Sequence, residues 1–401
     1  MRVSESMRAL YERAAIIPGR SMTRSKAPGL MFDVGRGPLY ATGGHGCRLR
    51  SDGDAYIDMV CALGAVSLGY GRGETWDALT TALDGASLLS LPHELEVEVA
   101  ERVIEAVAPW ATSVRFTKTG SESTHAAYLI AKAATGRRHV MVGDWAYHGW
   151  HEWCWFKGES RHSDSGTAHR FAHGADPNQF CAEAGLVPGS IAAIFVEPHR
   201  WERVDVAWLR DLREWCNQSG ALLVFDEMIY GARWALGGAT ECFGVEPDLA
   251  CYGKGFGNGQ PIAFVVGRGA LDAHGDRASG TYSGDALALS AMLSVIDCYT
   301  EEPVIASLWE RGRQLKSGLE RVREMSPWPV RVEGEPVHQR LRFLGDESAH
   351  RGRAFAARMA DHGVLWHPSV VNIMYAHTRT DIDIVIDAAL ASIEGIDRWN
   401  V

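Results

Sequence analysis

The sequence predicts an α/β fold built on a mostly parallel sheet, with a smaller α+β domain assembled from the two ends of the chain. Three observations predict it. From about residue 113, short apolar runs alternate with helical patterns. The helical patterns of that region close on glycines, at Gly136 and Gly220. Past Leu287 long helical patterns replace the alternation, and shorter strand-like runs follow. A chain of 401 residues has room for one large and one smaller domain. The expected division is 61–290 for the large domain and 291–401 for the small one, with 1–60 packing as an N-terminal segment against the small domain.

Taken in order, MRVSESMRALYERAA carries mixed charges and reads as an amphipathic helix, not a signal peptide. SVRFTKTG (113–120) reads as a strand and turn. SESTHAAYLIAKAATG follows as a helix with Ala126, Ala127, Ile130 and Ala133 on one face. HVMVGDW (139–145), IAAIFVEP (191–198), ALLVFDEM (221–228) and IAFVVG (262–267) are further strands, and VAWLRDLREWCNQSG (206–220) is a helix. Residues 158–189, rich in Gly, Ser, His and Asp, read as a long loop, functional or mobile. Helices are expected over 288–300 and 303–325, and a last one from near Asp381. There are no internal repeats and no low-complexity tracts.

Composition narrows the class. With 46% hydrophobic and 22% charged residues the chain has the make-up of a soluble globular enzyme. A formal net charge of −10 without a dense Lys/Arg run argues against nucleic acid or an anionic membrane as partner. No apolar stretch is long enough to span a bilayer. The eight cysteines include no CxxC pair, which points to reduced thiols and a cytoplasmic protein.

The chemistry is concentrated in two segments. ALLVFDEM ends an apolar run in an acid, Asp226, and CYGKGFGNG sets Lys254 among glycines 28 positions later. A carboxylate at the end of a buried strand is costly unless a cation meets it. Pyridoxal 5′-phosphate (PLP) accounts for both residues, with the lysine as its covalent anchor and the acid on its pyridinium nitrogen. Only six lysines compete for that role: Lys26, Lys118, Lys132, Lys157, Lys254 and Lys316. Lys118, ending a strand before a glycine turn, is the real rival.

Other motifs each carry two readings. Gly120-Ser121-Glu122 lies between a strand and a helix, where free N–H groups and the Ser121 hydroxyl would hold a phosphate, or where Ser121 would simply cap the helix. Tyr147-His148-Gly149 puts an aromatic at a strand's carboxyl edge, as a stacking partner for a flat ring or as a core tyrosine beside a satisfied histidine. His148, His151 and Cys154 have a metal-like spacing, but no second ligand pair completes a site, and no metal is expected. Glu197 and Glu202 are acids beside the cofactor or turn residues. Met228 shares the side of its strand with Asp226 and packs on the ring or in the core. Trp145, Trp150, Trp153 and Trp155 form either a packed patch or a lid over a bulky substrate.

In this order the motifs resemble the class III aminotransferases of PLP fold type I, and especially the glutamate-1-semialdehyde 2,1-aminomutase-like branch. The resemblance runs from IPG (17–19) through DGDAYIDMV, TGSES, AYHGW, FVEP, FDEMIYGAR, PDLACYGKGFGNGQP and GTYSGD to AHTRTDID. It implies a large domain with a seven-stranded, mostly parallel sheet flanked by helices. It selects Lys254 over Lys118 as the lysine that anchors the cofactor and then carries a proton. It implies that Gly120 and Ser121 hold the phosphate, that Tyr147 stacks on the ring with His148 beside it, and that Met228, where the family usually has valine, covers the opposite face. Asp226 pairs with the ring nitrogen. Thr281 reaches the phosphate of the partner subunit's cofactor, which implies a homodimer with active sites at the subunit interface.

The departures bear on substrate. Asp285-Ala286 replaces a common Asn-Pro, Tyr230-Gly231-Ala232 replaces a Thr/Ser-Gly-Phe floor, and the aminomutase's tryptophan falls on Leu63. Glu202 in EPHRWE matches the aminotransferases, where the aminomutase branch has asparagine. Ser21-Met22-Thr23-Arg24 resembles the S-x-x-R that contacts a substrate carboxylate, and the Trp150 loop is a further substrate contact. The expectation is an aminotransferase moving an amino group from a donor such as glutamate to a ketone or aldehyde, a keto-sugar or another biosynthetic intermediate. An isomerase on the same scaffold, aminomutase or racemase, is the alternative, and a binding protein that keeps the fold is the second.

Overall fold

The structure is a computed structural model that describes residues 3–32, 35–199, 201 and 204–394. Two compact units make up the chain: Gly73–Ile305, and Met1–Arg72 together with Ala306–Val401.

The first unit is built on a seven-stranded sheet. Its strands are β1 (Ser113–Thr117), β2 (His139–Gly143), β3 (Ala168–Phe171), β4 (Ile191–Val196), β5 (Leu222–Asp226), β6 (Leu249–Tyr252) and β7 (Ala263–Gly267), in the spatial order β1-β7-β6-β5-β4-β2-β3. Only β7 runs antiparallel to its neighbours. All six residues of β4, IAAIFV, are buried, as expected of a central parallel strand covered on both faces.

Helix α1 (Gly120–Thr135) starts at a capping box. Thr119 Oγ1 accepts from Glu122 N at 3.2 Å while Glu122 Oε2 accepts from Thr119 N at 2.8 Å. It ends on Gly136, in the left-handed region at φ +68°. Asp205 caps α2 (Val206–Ser219), whose stop is Gly220. The short α3 (Gly238–Phe243) lies in the crossover from β5 to β6, and α4 (Ala286–Glu301) is capped by Asp285.

Residues 158–189 are not one loop. They contain β3 and a helix, Pro177–Glu183. AHRF escapes a periodicity reading because it is four residues long, carries His169 and Arg170, and has only β2 as a strand partner, with an antiparallel bridge to His162 on its other side. LACY, equally short, runs straight into the glycine-rich turn that follows it.

The second unit is α+β. One sheet joins Gly43–His45, Arg48–Ser51, Asp54–Asp58 and Val364–Leu365, and another joins Val330–Glu335, His338–Phe343 and Val371–Asn372. Asp58 anchors a left-handed turn at its centre. Cys61, Ala62 and Leu63 all have φ between +51° and +62°, and Asp58 Oδ1 accepts from Val60 N at 2.7 Å and Cys61 N at 3.1 Å. No helix among the described residues is long and apolar enough to cross a membrane.

Candidate active site at the carboxyl edge of the sheet

Strand register explains the Asp226–Lys254 spacing. β5 and β6 are parallel, with Asp226 opposite Cys251, and Glu227 N donates to Cys251 O at 2.8 Å. Parallel neighbours require a crossover, and the 28 positions hold one that includes α3. Beyond Tyr252 the chain turns at Gly253, and Lys254 opens a 3₁₀ turn, Lys254–Gly257, with φ +47°. A non-glycine residue held there costs about 1–2 kcal/mol, a strain typical of functional positions.

Asp226 is 2% exposed. Its Oδ1 accepts from Met228 N at 3.1 Å, and its Oδ2 lies 2.8 Å from His148 Nδ1. An ionised carboxylate only accepts, so Nδ1 is the donor when Asp226 is charged. His148 is fixed through its carbonyl, which accepts from Thr124 Oγ1 of α1 at 2.6 Å and from Cys154 Sγ at 3.5 Å. Burial, and then the Asp226 charge, push the Cys251 thiol up.

Glu227 points elsewhere. Its carboxylate accepts from Ala239 N, Thr240 N and Thr240 Oγ1 at 2.8–2.9 Å. Burial pushes its carboxyl up to about 7 against those donors, with the nearby Asp226 charge adding to the rise. Nothing local in the sequence signals that the acid after Asp226 organises a crossover.

Close packing ties the remaining motifs together. A Cβ on Gly120 would come within 2.8 Å of Met228 Sδ, and one on Gly253 within 2.9 Å of the same atom. A Cβ on Gly149 would lie 2.6 Å from Ser121 Oγ. Gly120, Met228 and Gly253 therefore form one wall, and Ser121, Gly149, His148 and Asp226 a second. The cap of α1 is Thr119 and not Ser121, which lies one residue inside the helix. Tyr147 is 57% exposed, with its N–H donating to Glu197 Oε2 at 3.3 Å. Lys118 pairs with Asp285 at 2.7 Å.

The tryptophans separate. Trp150 and Trp155 are exposed, Trp153 is buried against Tyr128, and Trp145 packs on Phe171 and Trp208. Thr281 is exposed and lines a cavity of about 360 Å³ with Leu89, His93, Glu96, Arg115 and Ser283. Arg24 belongs to the other unit, exposed in the 3₁₀ turn Arg24–Lys26. Glu202 lies outside the described residues.

A doubly covered parallel sheet with a strained lysine and a buried acid at its carboxyl edge is the architecture of the fold type I PLP enzymes. The chain belongs to the class III aminotransferases, whose family model matches residues 32–394. It is 30% identical to a glutamate-1-semialdehyde 2,1-aminomutase of Syntrophobacter fumaroxidans, over 95% of both chains. It is 31% identical to an aminopentol aminotransferase of Sphingopyxis macrogoltabida, over 84% of this chain and 82% of that one. The PLP-bound FumI protein of Sphingopyxis sp. MTA144 superposes with a TM-score of 0.88 at 28% identity, covering 98% of this chain and 97% of that one.

The family's cofactor is PLP, and the residues present fit it. A buried carboxylate suits a ring nitrogen, an exposed tyrosine offers a flat face, and a helix begins at a glycine whose Cβ would fill the space beside Met228.

Proposed function

We propose that this chain is a ping-pong aminotransferase that takes an amino group from a small donor such as glutamate and passes it to a ketone or aldehyde. PLP, when bound, supplies an electron sink and carries the amino group between the two half-reactions. Lys254 anchors it and moves a proton to and from the substrate carbon through Nζ. Asp226, held by His148, keeps the ring nitrogen protonated. Gly120 and Ser121, with the first-turn N–H groups of α1, hold the phosphate, while Tyr147 and Met228 bound the two ring faces.

The observation that carries the reading is the β5–β6 register, which sets a buried Asp226 beside the strand that delivers Lys254. Amino transfer is favoured over isomerisation by Glu202 at the position where the aminomutase branch has asparagine, and by Leu63 where it has tryptophan. Arg24 and Trp150 are the proposed substrate contacts, and the acceptor is a keto-sugar or another biosynthetic carbonyl compound. The working form is a cytoplasmic homodimer in which Thr281 reaches the phosphate held by the partner subunit.

Mixing holoenzyme with glutamate alone tests this. The visible absorbance of the bound cofactor should bleach and stay bleached until a keto acid is added. An isomerase would keep turning over its substrate with no keto acid at all, and that outcome would replace the proposal. A Lys254→Ala variant as active as the parent would sink the PLP mechanism.

A further inference from the structure

Behind the Asp226–His148 pair stands a residue that none of the cofactor motifs includes. Trp153 is 1% exposed, and its indole lies parallel to the His148 imidazole, with centroids 6.4 Å apart and planes 10° apart. Its plane is fixed by Tyr128, stacked at 4.7 Å and 8°, and by Phe195, which packs on Trp153 at 4.9 Å and on His148 at 5.8 Å. His148 Nε2 and Trp153 Nε1 are both buried without a hydrogen-bond partner among the described residues. An unsatisfied buried nitrogen costs about 1–3 kcal/mol. A buried polar pair of this kind, with no direct bond between its members, is the setting in which proteins hold a bridging water.

The chemistry of the two nitrogens is asymmetric. An indole N–H only donates, whereas a histidine nitrogen donates or accepts according to its tautomer. A water that accepts from Trp153 has hydrogens to place in a buried site, and an unprotonated His148 Nε2 is the acceptor with no other partner there. That leaves the proton of His148 on Nδ1, the atom facing Asp226 Oδ2 at 2.8 Å.

We propose that Trp153 is a positioning residue: through one ordered water it fixes the Nδ1–H tautomer of His148, so that Asp226 presents an undivided negative charge to the cofactor ring. Of the titratable groups facing this pair, the two thiols carry no charge at neutral pH, and Glu227, raised to about 7, is turned away toward α3. Cys154, under the His148 carbonyl, is pushed up to about 12 by burial. Cys251, across from Asp226, is raised by burial and by that carboxylate. Glu227 engages α3, and Thr124 and Phe195 are neutral.

The inference rests on Asp226 as the partner of the ring nitrogen, and two measurements separate its failure from that of the parent reading. Trp153→Phe keeps a flat ring and removes the donor. In its holoenzyme the pH titration of the bound cofactor's visible absorbance should move by about one unit, a tenfold change in proton affinity. An unmoved titration, whatever the change in thermal stability, would reduce Trp153 to packing. The second measurement reads the parent holoenzyme itself: its ¹⁵N-histidine spectra, with the His148 signal identified by its loss in His148→Asn. Nε2 should show the signature of an unprotonated nitrogen from pH 6 to 8, and a protonated Nε2 there overturns the proposal. Failure of the cofactor reading would appear instead in Lys254→Ala, which leaves the His148 tautomer to be judged by itself.

Discussion

Asp226 and Glu227 are adjacent acids with opposite tasks. Asp226 faces His148 and the site, while Glu227 turns to the first turn of α3. Burial raises Glu227 from 4.5 to about 7, so the folded state holds its proton more tightly than the unfolded chain does. Its contribution to stability is therefore complete below pH 4.5 and is lost as pH rises through about 7. The shift corresponds to roughly 3 kcal/mol. Glu227→Gln should flatten the fall of Tm across that window, measured by calorimetry at a series of pH values. An unchanged slope would show that another group titrates there. Gly120 is a second single-residue test. In Gly120→Ala the new methyl lands 2.8 Å from Met228 Sδ, so cofactor affinity should drop at least tenfold, about 1.4 kcal/mol, in an apoenzyme titration with PLP. Combining it with Met228→Val, which shortens the opposing side chain, should restore most of that loss.

At the scale of the element, β3 ends the sheet, and three histidines join it to β2 and to the segment before it. His169 Nε2 lies 3.0 Å from His139 Nδ1, and its Nδ1 lies 2.8 Å from His162 Nδ1. Burial first, then His139 and His162, hold His169 down at about 4. The unfolded chain thus binds a proton near 6.5 that the folded edge refuses until about 4, and stability present above pH 6.5 is lost as pH falls through that range. Amide exchange in β3 and the preceding turn should rise between pH 6.5 and 4 after correction for intrinsic rates, and His169→Gln should remove the dependence. Legibility in the sequence followed element length. α1, α2 and β4 were visible because a capped periodic helix or a six-residue apolar run is specified locally. β3 and β6 were not, because four residues carry no periodicity and owe their extended form to a neighbouring strand.

For the whole molecule, Leu89, Leu91 and Tyr282 are exposed large side chains in or beside the segments that line the Thr281 cavity. Single apolar residues at a surface are ordinary, but a cluster marks an interface. The proposed homodimer should appear in analytical ultracentrifugation as a species of twice 43.9 kDa. Leu91→Asp should shift it toward monomer and lower cofactor affinity with it, because Thr281 then no longer reaches its partner's phosphate. A monomeric parent protein that binds PLP tightly would refute the shared site.

By itself the sequence determined the kind of chemistry. A lone lysine among glycines and an acid closing an apolar strand are local facts, and the motifs around them fixed the family. Only the tertiary structure decided which groups meet. It gave the cap of α1 to Thr119 instead of Ser121, engaged Lys118 with Asp285, set His148 on Asp226, and placed Trp153 behind them. The Lys118–Asp285 and His148–Asp226 pairs join residues 167 and 78 positions apart through strand register and helix packing. Local patterns specify the elements, whereas register and packing choose their neighbours.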